Sequence, residues 1–294
     1  MNLNTTALHS RFGKEIHEIN LRDVTADFLY AEIRSAFEHH SLLLFRDQSL
    51  DDQSHLTLAG LFGPVENREK GAWGITPSEA GKLTNLMDNK KLASETDKHL
   101  SHMKANQLWH TDSTFLPVPA LANILSAEVV SSSGGETELV STRAAWQDMP
   151  PQLKSVAADA VLCHRYAHSR AQIDSTLAAD ELFTQWSDQA WRAVWPNPVT
   201  GDEALYIASH AFAVEGMEAE AGQSLIRQLI EFATQDEYIY SHCWQSGDVL
   251  IWDERATLHR GRPWPNCEER TLASLCVSAS ECDGLGLMRP ISAS

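Results

Sequence analysis

The stretch Gly247-Asp-Val-Leu-Ile-Trp-Asp253 reads as a turn running into a short apolar segment that is stopped again by an acid. An apolar run of four residues between such boundaries suits a strand buried on both faces. Working outward, further β-like segments are expected at Leu83–Met87, Ala122–Val130, Glu136–Ser141, Ala204–Ala208 and Thr271–Ser278. Between them lie helical patterns. Leu29, Ile33, Ala36 and Phe37 recur at helical spacing and feed the run Ser41-Leu-Leu-Leu-Phe45. Ser49-Leu-Asp-Asp52 reads as a helix start capped by Ser49, continued by Leu56, Ala59 and Phe62 until Gly63-Pro64. Gln223–Thr234 gathers Leu225, Ile226, Leu229, Ile230 and Ala233 on one face, and Ala178–Trp195 is expected to be helical as well. Many short, unevenly spaced strands with a few covering helices predict a mainly β fold, a double-stranded β-helix or jelly roll, not an alternating parallel sheet. No repeat or Pro/Ser/Gly linker divides the chain, so residues 1–294 are expected to form one domain. A polar active-site loop or lid is expected at 66–107, and a helical insertion around 165–200.

Composition removes whole classes of function. The chain has 294 residues, 43% of them hydrophobic, and a net charge of −17. So acidic a surface repels phosphate backbones, and no nucleic acid partner is expected. The apolar runs fall short of the ~20 residues that span a bilayer, and Met1–Ser10 lacks the pattern of a secretory leader, so the expectation is a cytoplasmic protein with no membrane partner. Five cysteines at unrelated spacings read as reduced thiols, neither a disulfide frame nor a thiolate metal site. The expected partner is a small molecule, and a jelly roll offers edges and helices for a homo-oligomer.

The sharpest local feature is Trp109-His-Thr-Asp112. In an extended segment residues two apart share a face, so His110 and Asp112 can present an imidazole and a carboxylate together. If the fold brings His259 beside them, two histidines and one carboxylate form a face that leaves coordination positions open and suits non-haem Fe(II). Zinc is the alternative for the same donors. Arg270 follows His259 by eleven residues, at the head of an apolar run. A buried guanidinium is costly without an anion, and its fork grips a carboxylate bidentately. Thr137, in Gly134-Gly135-Glu136-Thr137, can add a hydroxyl donor to that anion. Taken alone, Arg270 is read equally well as a structural salt bridge, and Thr137 more simply as an ordinary strand threonine.

Together, Trp109-His-Thr-Asp-Ser-Thr-Phe115, Ser133-Gly-Gly-Glu-Thr137, Gly247 through His259, and Arg270 resemble the taurine and aryloxyalkanoate dioxygenase family, most of all its chlorophenoxyacetate branch. The likeness continues through Leu8-His9, Ile19-Asn-Leu-Arg22, Leu44-Phe-Arg46, Phe62-Gly-Pro-Val65, Ala208-Ser-His-Ala211, Val214-Glu-Gly216 and His259-Arg-Gly-Arg262, nearly the whole chain. The resemblance implies an enzyme dependent on Fe(II), α-ketoglutarate and dioxygen. It implies His110, Asp112 and His259 as iron ligands and Thr137 and Arg270 as partners of the far carboxylate of α-ketoglutarate. Asn106 matches a substrate-contacting position, and His210 lies in a segment that lines the pocket in relatives. No further catalytic residue is implied. The implied chemistry hydroxylates a C–H bond while α-ketoglutarate is decarboxylated to succinate, and at a carbon bearing an ether oxygen the product falls apart. Two departures stand out. Ser274 occupies the place of a second arginine that holds the substrate anion in those relatives, so either another residue, with Arg165 or Arg170 as candidates, supplies the charge, or the substrate is neutral there. Glu254 stands where relatives commonly have Asn. The rival functions are a zinc hydrolase built on the same triad and a catalytically silent jelly-roll binding protein.

Overall fold

The computed structural model describes residues 3–68, 75–87, 89–94, 97, 100 and 103–290. Its strands are β1 (Thr5–Ala7), β2 (Lys14–Ile16), β3 (Leu42–Phe45), β4 (Gly81–Thr84), β5 (Ala120–Val129), β6 (Thr137–Ser141), β7 (Val161–His164), β8 (Gln189–Arg192), β9 (Val194–Pro196), β10 (Glu203–Leu205), β11 (Ala211–Val214), β12 (Ile239–His242), β13 (Val249–Asp253), β14 (Thr257–Gly261) and β15 (Thr271–Ser278). Seven form a large sheet in the order β1-β2-β3-β13-β5-β15-β4. Apart from the parallel β2–β3 pair, its neighbours run antiparallel. A second sheet, β12-β6-β14, carries the other half of the site, and smaller sheets β11-β7-β8 and β10-β9 flank it. The mainly β architecture with covering helices agrees with the sequence reading.

Side-chain alternation explains how the large sheet divides its surroundings. Leu43, Phe45, Val249, Ile251, Ile124, Leu275 and Val277 point to one face, where Ile33, Phe37, Leu58 and Phe62 of the helices Tyr30–His40 and Asp52–Phe62 cover them. Leu42, Leu44, Leu125, Leu250, Trp252 and Leu272 point to the other face and meet Leu139 of β6. Each large apolar side chain buried this way stabilises the fold by about 1.5–3 kcal/mol. On that inner face the residues that continue the alternation are Ser274 and Cys276 on β15 and Asn123 on β5, with Arg270 immediately before β15. On the facing sheet His259 pairs with Leu139, and Gly261 with Thr137, so these also turn inward. The polar site therefore occupies the end of the layer where the apolar filling stops.

Several elements differ from expectation. The helix after Gln48 is capped by Asp51, not Ser49: its carboxylate accepts from Ser54 N–H at 2.8 Å and the Ser54 hydroxyl returns a bond. β4 lies at Gly81–Thr84 instead of Leu83–Met87, because its register is set by pairing with Ser274–Thr271 of β15. The insertion around 165–200 is helical only in its first half, at Tyr166–Ala171 and Glu181–Thr184. Its second half is the strands β8 and β9, contrary to the helix expected over Ala178–Trp195. Trp191 and Trp195 are buried there as strand residues, with β8 paired to β7. Part of the 66–107 segment lies outside the described residues. Among the described residues no helix is long and apolar enough to cross a membrane.

The turn that launches β13 needs its glycine. Gly247 sits at φ +86°, and a Cβ there would stand 3.0 Å from the Gln48 carbonyl oxygen. At the other end of β13, Arg255 is 2% exposed and its guanidinium donates to Asp253 at 2.8 and 2.9 Å and to Glu38 at 2.7 Å. This network ties the end of β13 to the helix Tyr30–His40. Arg255→Met strips buried Asp253 of its cation and leaves Glu38 with Arg34 alone, and urea denaturation is expected to show a loss of about 3–5 kcal/mol. A loss within experimental error of zero would show that the network is not structural.

Candidate metal centre and its cavity

The centre is assembled by backbone pairing. His110 and His259 exchange both main-chain hydrogen bonds, His110 N–H to His259 O at 3.0 Å and His259 N–H to His110 O at 2.8 Å. Thr111 fixes the same junction: its buried hydroxyl lies 3.0 Å from the carbonyl oxygens of both Thr257 and Ile207. The chain then turns sharply, with Ser113 at φ +59°. Asp112 therefore reaches the histidines from a turn, and not from the continuous extended segment that the His-x-Asp spacing suggests.

The donor atoms of His110, Asp112 and His259 all lie within 4.8 Å of one another. The Nε2 atoms of His110 and His259 each stand 3.9 Å from an Asp112 carboxylate oxygen. His110 Nδ1 lies 2.7 Å from the Leu108 carbonyl, which accepts its proton and leaves the Nε2 lone pair facing Asp112. Burial lowers the pKa of His110, and burial with the neighbouring His110 brings His259 down to about 3. Both imidazoles are thus neutral, the form that binds a metal. Burial opposes charge on Asp112, but the Arg68 guanidinium, helped by the hydrogen bond from Asn123, outweighs it and holds its carboxyl below the ordinary range. Two neutral nitrogens and one anionic oxygen on one face match a divalent ion with open positions.

Around these three, support comes from residues with no obvious motif. Asn123 Nδ2 donates to Asp112 Oδ2 at 2.8 Å, and Ser274 Oγ donates to Asn123 Oδ1 at 3.1 Å. A lone amide inside the apolar run of β5 was the available signal for Asn123. Glu254, completely buried, accepts from Asp112 N–H at 2.9 Å and from Trp252 Nε1 at 2.7 Å. Burial and the nearby charge of Asp112 push its pKa up. Arg68 donates to Ser113 Oγ at 2.7 Å, pairs with Glu66, and stands 3.8 Å from Asp112 Oδ1. Nothing in the sequence pointed to it.

The triad opens into a cavity of about 890 Å³ that is also lined by Asn106, Thr137, His210 and Arg270, so all seven expected site residues meet there. Arg270 is 6% exposed, donates to the Gly135 carbonyl at 2.8 Å, and lies 4.8 Å from the centre of the Trp264 ring. No acid pairs with it among the described residues, and burial drives its pKa down to about 10. This removes the structural salt bridge as its explanation. Gly135, at φ +72°, makes room for it: a Cβ there would stand 2.8 Å from Arg270 Nε. Thr137 accepts from Trp244 Nε1 at 3.0 Å, leaving its own proton to donate. Trp264 Nε1 is buried without a partner among the described residues. His210, 3% exposed, packs edge-on to Phe115 and Tyr166, with ring centres 5.0 and 5.6 Å away. Arg165, by contrast, is a surface residue paired with Asp188 at 2.6 Å.

With this geometry in view, the comparisons with known proteins are unambiguous. The sequence profile of the taurine catabolism dioxygenase family (TauD, TfdA) matches residues 4–276, and the chain belongs to that family. It is accordingly an α-ketoglutarate-dependent dioxygenase that uses Fe(II), α-ketoglutarate and dioxygen. Among its relatives, an α-ketoglutarate-dependent 2,4-dichlorophenoxyacetate dioxygenase of Cupriavidus pinatubonensis is 32% identical, over 92% of this chain and 96% of that protein. An (S)-phenoxypropionate/α-ketoglutarate dioxygenase of Sphingobium herbicidovorans is 31% identical, over 90% and 91%. The crystal structure of AAD-2 with Mn(II) and N-oxalylglycine superimposes with a TM-score of 0.89 at 29% identity, covering 95% of this chain and 99% of that one.

Substitution of Glu254 tests its part in holding Asp112. Glu254→Ala leaves the Asp112 and Trp252 N–H groups without acceptors, and Glu254→Gln can serve only one of them. Mn(II) titration is expected to show affinity falling in the order wild type, Gln, Ala, with the Ala variant about 10- to 100-fold weaker. Equal affinities would remove Glu254 from the support of the centre.

Proposed function

We propose that this enzyme oxidises an aryloxyalkanoate or a closely similar small aromatic molecule at a C–H bond, cleaving an ether where the oxidised carbon bears oxygen. In this reading the two facing sheets form a double-stranded β-helix, with His110, Asp112 and His259 as the Fe(II) ligands at its open end. Thr137 and Arg270 hold the far carboxylate of α-ketoglutarate. Asn106 and His210 face the substrate, and the loop at 66–107 serves as the lid. The observation that carries the proposal is a buried, acid-free Arg270 in the same cavity as two neutral imidazoles and one carboxylate. A hydrolytic zinc site has no use for a second, anion-seeking charge beside the metal, and a silent binding protein has no use for the triad.

Bound iron supplies the oxidising chemistry, consuming dioxygen and α-ketoglutarate. The chain's own residues bind, orient and exclude water. Arg270, stacked near Trp264 and bonded to Gly135, offers its remaining N–H donors to a carboxylate. Thr137, already an acceptor from Trp244, donates its hydroxyl proton to the same anion. Asn123 and Glu254 fix Asp112 from its side chain and its backbone. Phe115, Tyr166 and His210 form an aromatic wall that restricts water and aligns a flat substrate.

The test is to load the protein with Fe(II) without oxygen, admit oxygen, and follow succinate across aryloxyacetates, sulfonates and neutral aromatics. Asp112→Ala is expected to abolish coupled turnover, and Arg270→Ala to raise the α-ketoglutarate requirement by about 10- to 100-fold, the usual worth of a charged hydrogen-bonded contact. Turnover that persists without α-ketoglutarate or oxygen would favour the hydrolase, and unchanged kinetics in either variant would overturn the assignment.

A further inference from the structure

Besides Arg270, five cationic side chains among the described residues line the cavity: Arg68, Lys82, Lys104, Arg170 and Arg262. Arg68 is paired with Glu66, Lys82 with Glu128 at 2.6 Å, and Arg262 lies 3.7 Å from Glu138. Lys104 is exposed, free to keep its own hydration. Arg170 is different. It is 8% exposed, and no acid pairs with it among the described residues. A guanidinium is buried at considerable cost unless an opposite charge offsets it. One such group, Arg270, is accounted for by α-ketoglutarate, and Arg170 is the other.

Its surroundings define what it can bind. The guanidinium carbon lies 4.7 Å from the centre of the Tyr166 ring and 5.1 Å from that of Phe183, so two aromatic rings pack against it. Such contacts leave the N–H groups along its edge to find other partners. One of them donates to the Tyr166 hydroxyl at 3.2 Å, and Nε has no hydrogen-bond partner among the described residues. Tyr166 is itself held parallel to Phe115, with ring centres 3.7 Å apart. His210 bridges this aromatic wall to the metal centre, its ring 6.3 Å from that of His110. Position 274, on the β15 wall of the same cavity, is a serine committed to Asn123 and offers no charge to an anion.

We propose that Arg170 binds the anionic group of the primary substrate, making that substrate an aromatic carboxylic acid held from the helix Tyr166–Ala171 and not from β15. The proposal rests on the dioxygenase reading, in which an aryloxyalkanoate carries a carboxylate, and goes beyond it by assigning the residue that recognises that charge. The charge enters from the aromatic wall, so the ring of the substrate is expected to lie along Phe115 and Tyr166 with its anion at Arg170.

Phenoxyacetate and its neutral amide, phenoxyacetamide, are the probes. Their binding to the protein charged with Mn(II) and α-ketoglutarate is measured by calorimetry, without turnover, and their KM and kcat are then measured with Fe(II) and oxygen. Wild type is expected to bind the acid at least about 10-fold more tightly than the amide. Arg170→Met is expected to raise Kd and KM for the acid by about 10- to 100-fold, as loss of a charged hydrogen-bonding partner does, while the values for the amide stay within about twofold. Arg170→Lys, which keeps the charge but not the fork, is expected to recover part of the preference, guarding against a merely misfolded Met variant. Arg165→Gln, at the surface, is expected to keep the full preference. Equal affinity for acid and amide in the wild type, or an acid preference that survives in Arg170→Met, overturns the proposal. The α-ketoglutarate requirement reports separately on Arg270: a protein that prefers the acid through Arg170 yet forms no succinate would overturn the dioxygenase reading alone.

Discussion

Two main-chain hydrogen bonds, exchanged between His110 and His259, join a segment near the middle of the chain to a strand near its end. Everything chemical in the molecule is referenced to that junction. A pair of residues bonded this way has its side chains fixed relative to each other by backbone geometry, before any metal arrives. Thr111 closes the same junction from a second direction by reaching two further carbonyl oxygens. Asp112, one turn beyond, is then held by an amide on its side chain and a carboxyl at its backbone. The centre is pre-organised by hydrogen bonds that owe nothing to the ion, which is how a site with open coordination positions keeps its shape.

The cavity reverses the electrostatics of the chain. A molecule of net charge −17 places arginines with no acidic partner among the described residues against the wall of its cavity. Each is a local violation of the rule that buried charges are paired, and functional sites are where such violations gather. Their cost is tolerated because rings and carbonyls surround them: Trp264 and Gly135 for Arg270, Tyr166 and Phe183 for Arg170. Arg255 shows the contrasting solution, with its acids built in at Asp253 and Glu38 and no opening to a ligand.

What could be read from the sequence follows from which signals are local. The apolar runs of β13 and β15 were visible because burial on both faces writes itself into consecutive residues, and His110, Asp112, His259, Thr137 and Arg270 were visible because their motifs are compact. The short strands β8 and β9 were misread as helix, since Trp191 and Trp195 fit either period and only pairing with β7 and β10 decides between them. Arg170 could be named as a candidate but not preferred over Arg165. The two differ in burial and in whether an acid stands opposite, and neither the cavity nor Asp188, which pairs with Arg165, is written in the local sequence. Arg68 and Asn123 matter through contacts that no spacing encodes.

The serine at position 274 is small and uncharged, but its hydroxyl holds the carbonyl end of Asn123, whose amide end holds Asp112. A long cationic side chain placed there would release Asn123 and slacken the Asp112 carboxylate. Positions 274 and 123 are thereby coupled, so that a bulky residue at one calls for a compensating change at the other. The effect of a substitution at 274 is read at a carboxylate that the residue never touches.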